Sequence, residues 1–195
     1  MTDPIEDIIG DYKAFAALQR DRLAARGIDV TPFGLSHLCF RVPEWDQYVH
    51  VRTLLERHAR GNRESFWNGH PVSVIMLAEP LELLPGKWCD RIELIAPVHQ
   101  RVYKMGLEHI GFVVGDEFED FIRTHRPVLT GQQFQSAKVD PVYILMEDWT
   151  HVKFYKRSFV DVIQDEDRPI TGFTHLEDYV PQQLVTATHG DPLPS

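Results

Sequence analysis

An internal repeat constrains this chain more than any other feature. Leu35–Val42 reads LSHLCFRV and Leu107–Val114 reads LEHIGFVV, and the two share L-x-H-[LI]-x-F-x-V. His37 and His109 fall at the same place in the two copies, 72 positions apart (109 − 37). Both copies alternate at period two, the pattern of a half-buried strand whose side chains point to opposite faces in turn. Strict alternation puts Leu35, His37, Cys39 and Arg41 on one face and Leu38, Phe40 and Val42 on the other. In the second copy Ile110, Phe112 and Val114 form the apolar face and His109 points away from them. Two similar modules are expected, each offering one histidine from its first strand.

The sequence around each copy repeats the same order. After Leu35–Val42, Pro43 ends the strand and 44–60 has helical spacing, with Tyr48, Val51, Leu54 and Leu55 on one side. Strands are predicted near 63–67, 71–78 and 91–96, with turns at Asn68-Gly69 and Pro85-Gly86. After Leu107–Val114 a short helix is predicted around 116–125, then strands near 132–137, 142–147 and 151–156. Ahead of the repeat, Asp3-Pro4-Ile5-Glu6 reads as a helix start, and Gly27 as its stop. The expected fold is α+β: one domain of two βαβββ modules, 35–96 and 107–156, whose strands form a curved mixed sheet, or cup. An N-terminal helical segment, 1–34, packs outside it. The end of the chain, 181–195, has little periodicity and is expected to be disordered.

Composition narrows the function. Hydrophobic residues make up 43% and charged residues 25%, an ordinary globular balance, but the net charge is −9 and the pI about 5.5. Broad phosphate-backbone binding needs clustered Lys and Arg, so a nucleic-acid partner is not expected. No apolar run is long enough to span a bilayer, and the acidic start MTDPIEDII lacks the basic region of a signal peptide. Two cysteines, Cys39 and Cys89, make neither a disulfide framework nor a CxxC zinc pattern. A cytoplasmic protein with reduced thiols is expected.

The closing strands of the modules also align. Ile92-Glu93-Leu94 matches Val152-Lys153-Phe154, each a charged residue between apolar neighbours. Glu93 and Lys153 are therefore expected on the histidine face. His37, Glu93 and His109 then form a candidate ligand set of two imidazoles and one carboxylate, which suits Zn, Fe, Mn or Ni as divalent ions. The alternative is that the histidines are ordinary cleft residues and Glu93 pairs with Lys153 or Arg91.

The βαβββ repeat, with histidine early in the first strand, resembles the vicinal oxygen chelate superfamily of glyoxalase I, extradiol dioxygenases and metal-free antibiotic-resistance binders. More narrowly, 33–157 resembles the YecM family through SHLCFRV, the N-G-x-P turn at 68–71, the IEL strand, EHIGFVV and VKFY. The superfamily resemblance implies ligands on the first and last strands of each module, here His37, Glu93, His109 and Lys153. Lys153 departs from the usual Glu, and a protonated Lys cannot ligate. The departure puts glyoxalase and standard extradiol chemistry in doubt. It makes Lys153 a candidate to hold an anionic group of a small-molecule substrate or to salt-bridge Glu93.

Arg41, His70, Tyr143 and Tyr155 complete the candidate substrate-binding residues. Arg41 can clamp a carboxylate, although a structural salt bridge is its plainer role. His70 adjoins the Asn68-Gly69 turn, and the two tyrosines can line the cup. His151 opens its strand and is expected to be solvated. The leading expectation is a metal-dependent isomerase, lyase or oxygenase acting on a small oxygen-bearing molecule. The competing one is a metal-free binding protein using the same cup.

Overall fold

The structure is a computed structural model and describes residues 3–67, 70–96, 104–133, 139–158, 160–162 and 170–176. The expected N-terminal helix is two: α1 (Pro4–Ile9) and α2 (Tyr12–Ala24). Gly10 at φ 86 breaks the run, and Asp11 restarts it by accepting from the Ala14 amide at 2.8 Å. The helical spacing carries across the break, so Ile5, Ile9, Tyr12, Ala16 and Leu23 are all buried. On the same side, Arg22 pairs with Asp148 at 3.0 Å and Gln19 donates to Thr150 at 2.8 Å.

Then follow β1 (Gly34–Arg41), α3 (Trp45–Glu56), β2 (Ala59–Trp67), β3 (His70–Leu84) and β4 (Lys87–Ile95). The second half has β5 (Gly106–Val113), a single 3-10 turn, α4 (Phe118–His125), β6 (Gly131–Gln132), β7 (Val142–Leu145) and β8 (His151–Tyr155). A ninth strand, β9 (Gly172–Thr174), was not foreseen in the sequence. The turn at 68–69 and the terminal stretch 181–195 lie outside the described residues. The helix expected to reach 60 ends at Glu56, because Ala59 and its successors pair with β3.

Among the described residues the nine strands form one curved, unclosed sheet in the order β6-β7-β8-β5-β1-β4-β3-β2-β9. In each half the first strand pairs parallel with the last, β1 with β4 and β5 with β8, and the preceding strands follow outward. The halves join where β1 and β5 run antiparallel. Leu38 and Ile110 face each other at that seam. The helices cover one face, where Leu38, Ile92, Leu94, Ile110, Phe112, Val152 and Phe154 join Tyr12, Leu23, Leu55 and Phe121 in the main core. That core leaves the opposite face for polar groups.

Two irregularities of the seam decide which side chains reach that face. Leu35 pairs with Phe112 and His37 with Gly111, so Ser36 is an extra residue in β1. Cys39 pairs with His109 and Phe40 with Leu107, so Glu108 is an extra residue in β5. Each is a β-bulge immediately before a histidine, and a bulge re-aims side chains that strict alternation would send the other way. The bulge also corrects the expected face of Leu35, which packs against the helix-side core rather than beside His37.

Candidate metal centre

Register brings the sequence candidates together on the polar face. Cys39 pairs with both Glu93 and His109, and His109 pairs in turn with His151. One step along, Gly111 stands between His37 and Lys153, and Lys153 pairs with Tyr143. His37 Nε2 lies 3.0 Å from His109 Nε2, and Glu93 Oε2 lies 3.1 Å from His109 Nε2 and 3.6 Å from His37 Nε2. Both imidazoles are fully buried, and the Glu93 side chain is 16% exposed. Two donors bound to one ion at about 2.1 Å and a right angle would stand about 3.0 Å apart. The observed separations match one ion shared by the three groups.

The other ring nitrogens explain why these three atoms face each other. His37 Nδ1 is 2.9 Å from Ser36 Oγ, and His109 Nδ1 is 3.3 Å from Glu108 Oε1. Glu108 is buried and also accepts a hydrogen bond from Arg41 Nε. Burial alone would raise the Glu108 carboxyl, but His109 and Arg41 outweigh it and hold it at about 2. An ionised carboxylate only accepts, so Nδ1 of His109 donates to it, which leaves Nε2 as the nitrogen that can ligate. This is the carboxylate–histidine arrangement typical of metal ligands. Burial, with His109, Lys153 and Arg91 adding to it, holds His37 well below the ordinary histidine range despite Glu93, and a neutral imidazole is the ligating form. Burial opposes ionisation of Glu93, but the two histidines and Lys153 outweigh it and keep the carboxyl ionised. Among the described residues no donor is aligned on buried Glu93 Oε2.

Small residues make the space. Gly111 faces His37 across the seam, and Cys39 faces His109. A Cβ at Gly111 would meet His37 Cε1 at 2.9 Å and Tyr155 at 3.1 Å. Cys39, Glu108 and His109 form a second close group. Burial and the neighbouring Glu108 and Glu93 hold the Cys39 thiol well above its ordinary range, and Glu108 is already paired with Arg41. That group does not suit a metal.

The remaining candidates divide. Lys153 is 9% exposed, and among the described residues its ammonium makes no hydrogen bond or ion pair. The expected alternative pairing of Glu93 is absent among them too, since Arg91 pairs with Asp90 and Asp161. Arg41 is the structural partner of Glu108, as its plainer role predicts. Tyr155 is buried edge-on to His37, ring centroids 5.5 Å apart. Tyr143 packs against His151 at 5.8 Å. His70 is half-buried beside the Pro71 carbonyl. His151 is a correction: it is half-buried, because pairing with Leu145 and His109 draws the start of β8 into the sheet, and burial lowers it to about 4.

Sequence reasoning missed Ser36, Glu108 and Gly111. A polar residue before each histidine, L-[SE]-H, was the available signal. Strict alternation concealed it by placing both residues on the helix side.

The sequence profile described as YecM protein matches residues 4–166, most of the chain. The chain belongs to the YecM family. YecM membership agrees with the motifs quoted from 33–157 and extends the likeness into the N-terminal helices. Among solved structures, a structural-genomics protein, EC4020, is 22% identical, with a TM-score of 0.69 over 84% of this chain and 93% of its own. That likeness shows the same fold. A Bacillus subtilis protein provisionally described as a dioxygenase gives a TM-score of 0.42 at 6% identity, over 64% of this chain and 41% of its own. FosX from Listeria monocytogenes, a fosfomycin resistance protein solved with Mn(II), gives 0.28 at 13% identity over 68% and 97%. Neither of the last two is near enough to carry an argument. No curated protein matches the sequence.

Proposed function

We propose that this YecM-family protein is a metal-dependent enzyme of the vicinal oxygen chelate type, with His37, Glu93 and His109 holding one divalent transition ion. One observation carries the reading: Nε2 of two imidazoles and a carboxylate oxygen converge within 4.8 Å of one another, with a polar side chain beside the second nitrogen of each ring. With both Nδ1 atoms donating, the three facing atoms are all acceptors, and acceptors so close repel unless a cation lies among them. When bound, the ion, whether Zn, Fe, Mn or Ni, supplies a Lewis acid that polarises an oxygen of a small-molecule substrate. Ser36 and Glu108 orient the rings. Lys153, buried and unpaired among the described residues, binds an anionic substrate group. Tyr143 and Tyr155 flank it, with Arg41 acting through Glu108 and His70 nearer the rim. The reaction class is isomerase, lyase or oxygenase, and 35–96 and 107–156 act as two modules of one domain. The sheet carries no nucleic-acid surface in this reading, and no helix among the described residues is long and apolar enough to cross a membrane.

The test is metal analysis of protein purified without chelator or affinity-tag nickel, followed by titration calorimetry of wild type, His37→Ala and His109→Ala. About one ion per chain, lost in both variants, supports the proposal. Equal uptake by wild type and the double variant rejects it.

A second reading, a metal-free binding protein with the same pocket, is favoured by Lys153 alone. An ammonium whose charge acts on Glu93 and His37 opposes a cation there. This reading requires a bound anion in protein that holds no metal.

A further inference from the structure

The chain beyond β8 returns to the metal face. Val160 packs on Val74 and Met76, and Val162 on Tyr155 and Val139. Ser158, 1% exposed, accepts from Ser36 Oγ at 3.2 Å and from Arg91 Nη1 at 2.9 Å. Arg91 Nη2 in turn donates to Asp161 Oδ1 at 2.8 Å.

These bonds have a direction. A guanidinium only donates, so Ser158 Oγ is held as an acceptor toward Arg91. Ser36 gives its hydroxyl proton to Ser158 and presents lone pairs to His37 Nδ1. His109 needs no such help, because the Glu108 carboxylate accepts whichever way it turns. A serine hydroxyl can donate or accept, and donation by Ser36 to His37 would put the ring proton on Nε2, where the metal belongs.

We propose that Ser158 is a positioning residue for the metal centre: through Ser36 it fixes His37 in the Nδ1–H tautomer. The centre is thus completed by a segment outside the two sheet halves, and docking of Ser158 and residues 160–162 is coupled to metal binding. The inference rests on the metal reading above. Coupling is reciprocal, so the ion tightens the segment as the segment tightens the site.

The test uses the full chain with ¹⁵N-labelled histidine. In metal-free wild type, His37 is expected as the Nδ1–H tautomer. In Ser158→Ala it becomes a mixture while His109 is unchanged, and Ser158→Thr, which keeps the hydroxyl, retains the wild-type pattern. Zn(II) affinity of Ser158→Ala falls about tenfold. Ser36→Ala with Ser158→Ala loses no more than Ser36→Ala alone, as expected for two links of one relay. Zn(II) slows amide exchange at residues 160–162 in wild type. An unchanged His37 tautomer in Ser158→Ala, or additive losses in the double variant, overturns the proposal. Wild type that takes up no Zn(II) while Ser158→Ala still changes the tautomer rejects the metal reading and the coupling, and leaves the positioning role established.

Discussion

The imidazole of His37 occupies the space a side chain at Gly111 would fill, with Cε1 at 2.9 Å and Nδ1 at 3.0 Å from the position of a Cβ. Tyr155 closes the same space from another side at 3.1 Å. Neither ring has room to retreat, because both are buried. Gly111→Ala is therefore expected to displace His37, lower stability by about 1–3 kcal/mol, and weaken metal binding more than the loss of stability alone would. Denaturant unfolding beside a Zn(II) titration reads both. A variant with wild-type affinity would show that the His37 position is not set by this contact.

Glu108 is the corresponding support for His109, and it is buried with Arg41 as its counter-charge. Glu108→Gln removes the carboxylate that pairs with that guanidinium and is expected to cost about 3–5 kcal/mol. Metal affinity should fall about 10–100-fold, because the His109 tautomer is no longer imposed. Arg41→Met tests the same pair from the other end, with an equally large loss of stability. If Glu108→Gln unfolds at the wild-type denaturant concentration, the buried pair is not what holds this seam.

Acid should destabilise the metal-free protein early. His37 and His151 are held below the ordinary histidine value of 6.5, burial being the first cause for both. Below pH 6.5 the unfolded chain binds protons that the folded chain refuses, so stability falls as pH falls. With His151 at about 4, its share is on the order of 2 kcal/mol at pH 5. Unfolding midpoints at pH 7.5 and 5.0, compared between wild type and His151→Gln, check this. The variant should show the smaller drop, and equal drops would reject the assignment to His151.

Lys153 separates the two functional readings. Among the described residues no carboxylate is close enough to pair with it, so Lys153→Met should leave stability unchanged or slightly raised. Lys153→Glu supplies a further carboxylate beside His37 and Glu93, and should tighten Zn(II) binding while weakening small anions. Tightening of metal in Lys153→Glu with unchanged anion binding would place the anion site elsewhere. A stability loss of about 3–5 kcal/mol in Lys153→Met would instead reveal a buried pair with Glu93.

Trp149 offers a control away from the site. It has φ 67, a left-handed conformation costly for a side chain of its size, and it is 47% exposed. Trp149→Gly should be neutral or stabilising by about 1 kcal/mol, as read by thermal unfolding, with metal affinity unchanged. A destabilised variant would mean that the indole packs more than its exposure suggests.

Much of the site was legible because the repeat is periodic. Alternation within L-x-H-[LI]-x-F-x-V fixes which face His37 and His109 take relative to Leu38 and Ile110, and the aligned I-E-L and V-K-F place Glu93 and Lys153 on that face. Those are local properties of a strand and need no knowledge of its partners. What only the tertiary structure decided is non-local. The antiparallel seam of β1 with β5 sets His37 beside His109, and its two bulges bring Ser36 and Glu108 to their Nδ1 atoms. A bulge is defined by the residue it fails to pair with, so a single strand carries no sign of it. The return of Ser158 to Ser36 across 122 positions and the parallel pairing of β9 with β2 have the same character. They depend on where the chain is carried by its other elements, and no period in the segments themselves encodes it.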